Sequence, residues 1–302
     1  MHYLSGFFFF GGGGWGGEGA FLLNCIPFCI GDRQVGIIRP NVLPHLQEYP
    51  EIFIISPSCV TLSDDFKTPK ERSDQIHNVL TELRKQKVLV TLNGWRNERF
   101  DIRSTSNEKA LMEVERSGVC LFGAISYGVH INGYTYKDGQ MMMWIARRSS
   151  TKPTYPNMLD NMVRMLSVVR NVTDILLSQE SIIAPSLHGL TTPDLGVCYI
   201  LEDKRGIFPE CEYLFDLELP SDFEPVNADG EVSTFELMTM DEVKDAIVSD
   251  DFKPNSALIV LDFLIRHGVV GPEHEKNYTY IVEMMHVPLQ SYFSANKQLL
   301  SR

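Results

Sequence analysis

The sequence predicts an α/β fold in which an accessory α+β domain is followed by an α/β/α sandwich with a mixed sheet. Two observations predict it: the first half mixes short strand patterns with one long amphipathic helix, and the second half holds two strand pairs, a further strand and two helices. The chain has 302 residues, 44% of them hydrophobic, which is enough for two domains with cores of their own. We expect a disordered or artefactual leader over residues 1–20, the accessory domain over 21–120, the sandwich over 121–285 and a tail over 286–302.

The elements of the first half follow from turn and capping patterns. CIPFCIGDRQVGIIRP predicts two strands around the Gly31-Asp32 turn, VLPHLQEYP a short helix and EIFIIS a buried strand. TPKERSDQIHNVLTELRKQ is the clearest helix, because Thr68 and Glu71 form a capping-box pattern and Pro69 suits a first turn. Its apolar residues fall on one face at helical spacing: Ile76, Val79, Leu80 and Leu83.

The second half begins with the strongest hairpin pattern of the chain. AISYGVHINGYTYKDGQMMMWIARR predicts two strands joined at Asp138-Gly139, and VCYILEDKRGIFPECEYLFDLELP predicts a second pair. VSTFELM predicts one more strand, and DEVKDAIV and NSALIVLDFLIRHG predict two closing helices, the last of which ends at Gly268. Between the strand pairs, the segment from Asn161 to Glu180, NMVRMLSVVRNVTDILLSQE, has enough apolar residues to predict a core helix.

Composition excludes several classes of function. The net charge of −12 and the pI of about 5.1 argue against binding to a nucleic-acid polymer, which requires a basic surface. No run of apolar residues is long enough to span a membrane. The N-terminus lacks the features of a signal or transit peptide, so the cytoplasm is the predicted compartment. The six scattered cysteines are therefore expected to be reduced. A zinc site at Cys25 and Cys29 is the less favoured alternative. The sequence carries no indication of oligomeric state.

A basic cluster follows the strand MWIARR. Arg147, Arg148 and Lys152 leave the end of this strand together, and guanidinium groups match phosphate oxygens in a bidentate manner. The next residues, PTYPNMLDN, predict a rigid loop with polar side chains that end at Asn161. The cluster is therefore either a phosphate contact or a solvated surface turn.

Acidic residues give weaker indications. Asp174 and Glu180 are six residues apart and lie on different faces of the predicted helix, so they do not chelate one ion together. Acids at alternate positions could orient water or hold a metal, although such groups are more often solvated, and His130 is expected to lack a partner. These acids are Glu210 with Glu212, Asp216 with Glu218, and Asp229 with Glu231.

Several stretches resemble the Nudix hydrolases that carry an N-terminal DUF4743 domain, and the Nudix part of thiamine pyrophosphokinase fusion proteins. They include VGIIRPNV, GWRNERFDIR, LFGAISYGVHINGY, WIARRSSTKPTYPNMLDNMV, GIFPECEYLFDLELP and DDFKPNSALIVLDFLIRHG. The resemblance implies a Nudix sandwich and cleavage, dependent on Mg²⁺ or Mn²⁺, of a small molecule linked to a diphosphate. It implies as substrates the oxo and oxy forms of damaged thiamine diphosphate, cleaved to monophosphates, or oxidised guanine nucleotides such as 8-oxo-dGDP.

The resemblance also shows that the Nudix box is missing. After DNMV the family pattern has a glycine, five residues, a glutamate, seven residues and then Arg-Glu-x-x-Glu-Glu, whereas this chain has no glycine between Gly139 and Gly189. Glu180 alone matches one of the paired glutamates, so it is the implied metal ligand and, with Glu231 as a water-orienting base, the implied catalytic group. The implied phosphate- and substrate-binding residues are Arg147, Arg148, Lys152 and Asn161.

The loss of the box leaves three explanations. The chain retains weak activity through Glu180 and Glu231, or it is a pseudo-enzyme that binds a diphosphate without cleaving it, or it is an aberrant product of a gene whose normal product is active. We expect an impaired pyrophosphohydrolase. A diphosphate-binding pseudo-enzyme is the main alternative, and a purely structural protein is the third.

Overall fold

The computed structural model describes residues 24–106, 108–166, 194–227, 230–289 and 293. These residues form two compact units. The accessory unit comprises the described residues up to Ser126, Cys198–Glu210 and the described residues from Val287 onward, and the sandwich unit comprises those within Tyr127–Val197 and Cys211–His286. No helix among the described residues is long and apolar enough to cross a membrane.

The accessory unit is built on a four-stranded sheet with the strand order β2-β1-β4-β3 and a separate pair, β5 with β6. Its strands are β1 (Ile26–Ile30), β2 (Arg33–Ile38), β3 (Phe53–Ile55), β4 (Val60–Leu62), β5 (Arg99–Ile102) and β6 (Met112–Glu115). Its helices are α1 (Leu43–Gln47), α2 (Pro69–Gln86) and α3 (Val119–Phe122). The predicted capping box of α2 is confirmed, since Thr68 Oγ1 accepts from the Glu71 N–H at 3.2 Å and Glu71 Oε2 accepts from the Thr68 N–H at 2.9 Å. All four of the predicted core residues of α2 are buried.

A seven-stranded sheet follows, with the strand order β11-β12-β7-β8-β13, β10 pairing with β7 and β9 with β8. The strands are β7 (Ser126–Lys137), β8 (Gln140–Arg148), β9 (Leu159–Asn161), β10 (Val163–Leu166), β11 (Asp194–Asp203), β12 (Gly206–Glu218) and β13 (Val232–Thr239). The helices are α4 (Met240–Ile247), α5 (Pro254–Arg266) and α6 (Tyr278–Met285). The predicted hairpin between β7 and β8 is confirmed, and its turn residues Asp138 and Gly139 both have positive φ, at 52° and 78°.

The larger sheet is mixed, as the sequence predicted. β8 pairs antiparallel with β7, β9 and β13. Between β7 and β12, by contrast, the numbers of the contacting residues increase in the same direction on both strands. His130 lies against Glu212, Asn132 against Asp216 and Tyr134 against Glu218. That progression is the arrangement of parallel neighbours.

The two faces of this sheet differ in chemistry because successive side chains point to opposite sides. One face, the apolar face, carries a core formed by Val129, Ile131, Trp144, Met162, Val163, Phe215, Leu217 and Leu219. The other face, the polar face, carries the His130, Asn132 and Tyr134 side chains of β7. Phe263 of α5 packs on it, and so does His267, which follows the end of that helix. The polar face carries the network around Asn161 that is described below.

The helix predicted from Asn161 to Glu180 is wrong at its beginning. The chain continues as two short strands there, and β10 pairs antiparallel with β7, with Val163 opposite Ile131 and Leu166 opposite Gly128. A short apolar run has no periodicity that separates a strand from a buried helix, and the available edge of β7 decides the outcome. Residues 167–193, with the rest of the predicted helix, lie outside the described residues.

The cysteines follow the prediction in part. Cys25, Cys29, Cys59 and Cys120 are free, as expected. Cys198 and Cys211 are disulfide-bonded, so the expectation of reduced thiols is wrong for these two. They lie on β11 and β12, the two strands that the sequence predicted as the second pair.

Candidate functional site

Two adjacent arginines at the end of β8 hold the basic loop that follows. Arg148 donates from Nε to the carbonyl oxygen of Tyr155 and from Nη2 to that of Thr154, both at 2.9 Å. Arg147 donates from Nη1 to the carbonyl oxygen of Asn157 at 2.8 Å. Tyr155 and Asn157 both have positive φ, at 51° and 62°, so these guanidinium contacts stabilise a loop with an unusual backbone.

Asp160 is the centre of a buried ion cluster below this loop. Its Oδ2 lies 2.6 Å from Arg148 Nη1 and 3.5 Å from Lys253 Nζ, and its Oδ1 accepts from the hydroxyl of Ser256. Lys253 also donates to Ser256 Oγ at 2.9 Å. Asp160, Lys253 and Ser256 are at most 4% exposed, so the two cations and the carboxylate compensate one another away from water. The cluster ties β8, β9 and the start of α5 together.

Asn161, the next residue, begins a second buried chain of hydrogen bonds. Its Oδ1 lies 2.8 Å from His130 Nδ1, and its Nδ2 donates to Asn132 Oδ1 at 2.7 Å. Asn132 in turn donates from Nδ2 to Asp216 Oδ1 at 3.2 Å. His130 Nε2 lies 3.7 Å from Glu212 Oε1, and neither side chain is exposed. Asp160 and Asn161 thus join two polar networks through one short strand.

Asp216 closes this chain near the end of α5. It accepts from Arg266 Nη2 at 3.1 Å and lies 2.9 Å from His267 Nε2. Burial alone raises the pKa of this carboxyl group, but the hydrogen bonds from His267 and Arg266 outweigh it and lower the pKa from 3.8 to about 2. The same pairing with Asp216 and Asp262 raises the pKa of Arg266, against the effect of burial. Asp216 is therefore an ionised buried group that anchors α5 to the sheet.

We expect this ionisation to appear as a pH-dependent contribution to stability. The folded pKa of Asp216 lies below its unfolded value, so its contribution is fully present above about pH 4 and is lost as the pH falls toward 2. The difference in unfolding free energy between the wild type and Asp216→Asn should shrink by roughly 2 kcal/mol between pH 5 and pH 2. Urea unfolding followed by circular dichroism measures it. Asp222→Asn, at an exposed aspartate of the same unit, should follow the wild type throughout, and a pH-independent difference for Asp216→Asn would contradict the prediction.

The structure places five of the six predicted site residues around the basic loop and β9. Lys152 and Glu231 are brought together as an ion pair, with Nζ 2.5 Å from Oε1. Arg147 pairs with Asp251 at 2.9 Å and with Glu236 at 3.5 Å, and the hydrogen bond with Asp251 raises the pKa of Arg147. Arg148 and Asn161 belong to the buried networks, in which their polar groups are hydrogen-bonded to other groups of the protein. Glu180 lies outside the described residues.

Sequence reasoning missed most of the buried partners. Among them are Asn132, Lys253, Ser256, Arg266 and His267. The expectation that His130 lacks a partner is wrong, because Asn161 and Glu212 reach it from other strands. The alternation of His130 and Asn132 with apolar residues in β7 was the available indication, since polar groups at every second position of a buried strand require partners on one face.

The described residues do not fit a metal centre. Within them, no group of three or more His, Cys, Asp or Glu side chains could hold a metal ion. The buried carboxylate of Asp160 is compensated by Arg148 and Lys253, and that of Asp216 by Arg266. We therefore derive no catalytic step through a metal from these residues.

The mixed sheet, with α5 on its polar face, defines an α/β sandwich domain preceded by an α+β unit. Residues 18–126 match the family model described as a domain of unknown function, DUF4743. The chain is 34% identical over 263 residues to Nudix hydrolase 20, chloroplastic, of Arabidopsis thaliana, which covers 82% of this chain and 69% of the relative. It is 33% identical over 256 residues to Nudix hydrolase 24, chloroplastic, of the same plant, with the same coverage.

Among solved structures, the NUDIX domain of Shewanella oneidensis NrtR complexed with ADP ribose is similar at 14% identity and a TM-score of 0.37, over 49% of this chain and 91% of that one. The identity with the two plant proteins and the share of their length that is matched establish the family. This chain belongs to the Nudix hydrolase family.

Proposed function

We propose that the protein is a Nudix-type pyrophosphohydrolase for small molecules linked to a diphosphate, with damaged thiamine diphosphate in its oxo or oxy form, or 8-oxo-dGDP, as substrate. Family membership supports the reaction class, and the resemblance implies dependence on Mg²⁺ or Mn²⁺. One observation carries the proposal to this chain: the buried networks around Asp160 and Asn161 fix β9 directly before the segment in which the family has its catalytic box.

The same proposal includes impaired catalysis. Glu180 is the one carboxylate of the family's box that the sequence retains. The loss of metal-binding carboxylates removes transition-state stabilisation worth several kcal/mol, and each 1.4 kcal/mol is about a factor of ten in rate. A diphosphate-binding pseudo-enzyme is the second candidate, favoured by the loss from the sequence of every box carboxylate except Glu180.

Lys152, Arg147 and Glu231 form the exposed part of the site in this proposal. Their side chains are between 21% and 57% exposed, whereas those of Arg148 and Asp160 are nearly covered. We propose that a phosphate group displaces Glu231 from Lys152 and that the freed carboxylate orients water. The plant relatives are named as chloroplastic, and the cytoplasmic location stays a prediction for this chain.

Phosphorus NMR of oxothiamine diphosphate, incubated with the protein in excess, tests the proposal. We expect slow appearance of monophosphate and inorganic phosphate that requires Mg²⁺, because Glu180 supplies only part of a metal site. Glu180→Gln should lower this rate at least about tenfold, the effect of about 1.4 kcal/mol of lost metal binding in the transition state. Glu51→Gln, at an exposed glutamate of the accessory unit, is the matched control and should keep the wild-type rate.

Each other outcome selects a different function. Diphosphate resonances that broaden with the protein but yield no product identify a binding protein without catalysis. Unchanged resonances with oxothiamine diphosphate, oxythiamine diphosphate and 8-oxo-dGDP alike would rule out the proposed substrates.

A further inference from the structure

Two buried polar atoms on the apolar face have no hydrogen-bond partner within the described part of the chain. They are the indole Nε1 of Trp144 on β8 and the hydroxyl Oγ1 of Thr135 on β7. Trp144 is 9% exposed and Thr135 is 1% exposed. A buried donor without a partner loses its hydrogen bond with bulk water and forms no other in its place, which costs free energy. Such groups in native proteins are therefore generally hydrogen-bonded to a buried water or to a ligand.

These two atoms belong to neighbouring positions on the same face. Thr135 lies opposite Met142 in the antiparallel pair of β7 and β8, and Trp144 is two residues beyond Met142. Trp144 and Thr135 are therefore diagonal neighbours, at a separation that an indole ring reaches. Half-buried apolar side chains pack against the core beside them: Tyr213, Phe223, Phe235 and Leu237. Aromatic and aliphatic side chains around a few polar groups are the usual lining of a site for a planar ring.

The position of Trp144 relative to the basic loop fits a ligand with a ring at one end and phosphates at the other. Trp144 and Arg148 are four residues apart on β8, which corresponds to about 13 Å along a strand. On β13, Leu237 lies opposite Trp144 and Val232 opposite Arg148, and Glu231 with its partner Lys152 follows at that end. A ring, a short linker and a diphosphate together cover such a length.

We propose that Trp144 is a specificity residue whose indole N–H donates a hydrogen bond to a carbonyl oxygen on the ring of the ligand. This inference rests on the proposed function, because it concerns the ring of the same diphosphate compounds. The indole nitrogen is a donor only, so it forms a hydrogen bond with a ring that places an acceptor against it and forms none with a ring that does not. An oxo group is the feature that separates a damaged ring of this kind from its undamaged parent. Trp144 thereby favours the damaged compound. The neighbouring Thr135 hydroxyl can donate a hydrogen bond to the adjacent ring atom or accept one from it.

Binding of oxothiamine diphosphate, thiamine diphosphate and inorganic pyrophosphate to the wild type and to Trp144→Phe tests the assignment. Phenylalanine keeps an aromatic ring and removes the N–H. By calorimetry we expect the wild type to prefer the oxo compound about tenfold, the ratio that one hydrogen bond retained in a buried site provides. Trp144→Phe should bind both ring compounds about equally and pyrophosphate as the wild type does. Trp95→Phe, in the accessory unit, is the control and should keep the preference.

A second readout follows the indole group itself. The Nε1–H resonance that is missing from Trp144→Phe in ¹H–¹⁵N spectra should shift when oxothiamine diphosphate is added and stay in place with pyrophosphate. If the resonance does not shift with the ring compound and shows contact with a buried water, that water is the hydrogen-bond partner of the Trp144 N–H, and the inference is overturned.

The binding outcomes separate this inference from the proposed function. A wild type that binds pyrophosphate and both ring compounds without preference overturns the role of Trp144 and leaves the proposed function standing. That role is equally overturned if the preference persists in Trp144→Phe, or if that variant weakens the binding of pyrophosphate as much as that of the ring compounds. A wild type that binds none of the three overturns the proposed function and the assignment with it.

Discussion

Asp160→Asn is expected to lower the free energy of unfolding by about 3–5 kcal/mol, the usual cost of breaking a buried ion pair from one side. The substitution keeps the shape of the side chain and removes its charge. Arg148, 2.6 Å away, and Lys253, 3.5 Å away and 1% exposed, would then share a buried site without the anion that compensates them. Urea unfolding at pH 7 measures the loss. Asp250→Asn, at an exposed aspartate of the same unit, should change the free energy by less than about 0.5 kcal/mol.

The physical cause can be separated from a general intolerance of the position. If uncompensated charge is responsible, Asp160→Asn combined with Lys253→Met should be more stable than Asp160→Asn alone, because the second change removes the buried ammonium group. A double variant that is as unstable as the sum of the two single variants would show that hydrogen-bond geometry, and not charge, dominates the cluster. The double variant also keeps the prediction testable if Asp160→Asn does not fold.

Local features of the fold could be predicted from the sequence because their causes are local. The Asp138-Gly139 turn places two residues tolerant of positive φ between strands, and Thr68 with Glu71 satisfies the first N–H groups of a helix within one turn. The same holds for Gly268, whose φ of +69° follows the end of α5. Such patterns do not depend on the rest of the chain.

The candidate site could be predicted only in part because its contacts join distant segments. Asn132 and Asp216 are 84 residues apart, and Asp160 and Ser256 are 96 residues apart. Alternation along β12 did predict that its acids share a face. It did not predict that α5 covers that face and brings Arg266 and His267 to Asp216, so the expectation of solvated acids is wrong for Glu212 and Asp216, which are 1% and 2% exposed.

The basic loop illustrates the same limit for phosphate binding. A cluster of cationic residues in sequence indicates local positive charge, but the partners of each side chain depend on the loop's own carbonyl groups and on Asp160. Arg148 directs its guanidinium group to Thr154, Tyr155 and Asp160, whereas Lys152 and Arg147 keep part of their side chains at the surface. The phosphate-binding role of these residues stays a prediction, with Lys152 and Arg147 better placed than Arg148.

Insertion of a Nudix box is expected to have the largest effect on activity. In this variant, residues 164–193 are replaced by a segment with the family pattern: a glycine, five residues, a glutamate, seven residues and Arg-Glu-x-x-Glu-Glu. Metal-dependent release of inorganic phosphate from oxothiamine diphosphate should rise by about a thousandfold or more, since about 4 kcal/mol of metal-assisted transition-state stabilisation corresponds to that factor. The expectation depends on the buried networks at Asp160 and Asn161, which fix β9, the strand before the replaced segment.

The control for this variant is the same insertion with both paired glutamates changed to glutamine, which should return the rate to the level of the natural chain. A second comparison adds Lys152→Ala to the active insertion. If Lys152 binds the diphosphate, its removal should raise KM without a matching loss of kcat, because a contact made equally in the ground state and the transition state affects binding alone. A box variant that folds, binds Mg²⁺ and still releases no phosphate would show that the substrate-binding part of the site is defective as well. The cause of the low activity would then be in the rest of the domain and not in the missing carboxylates.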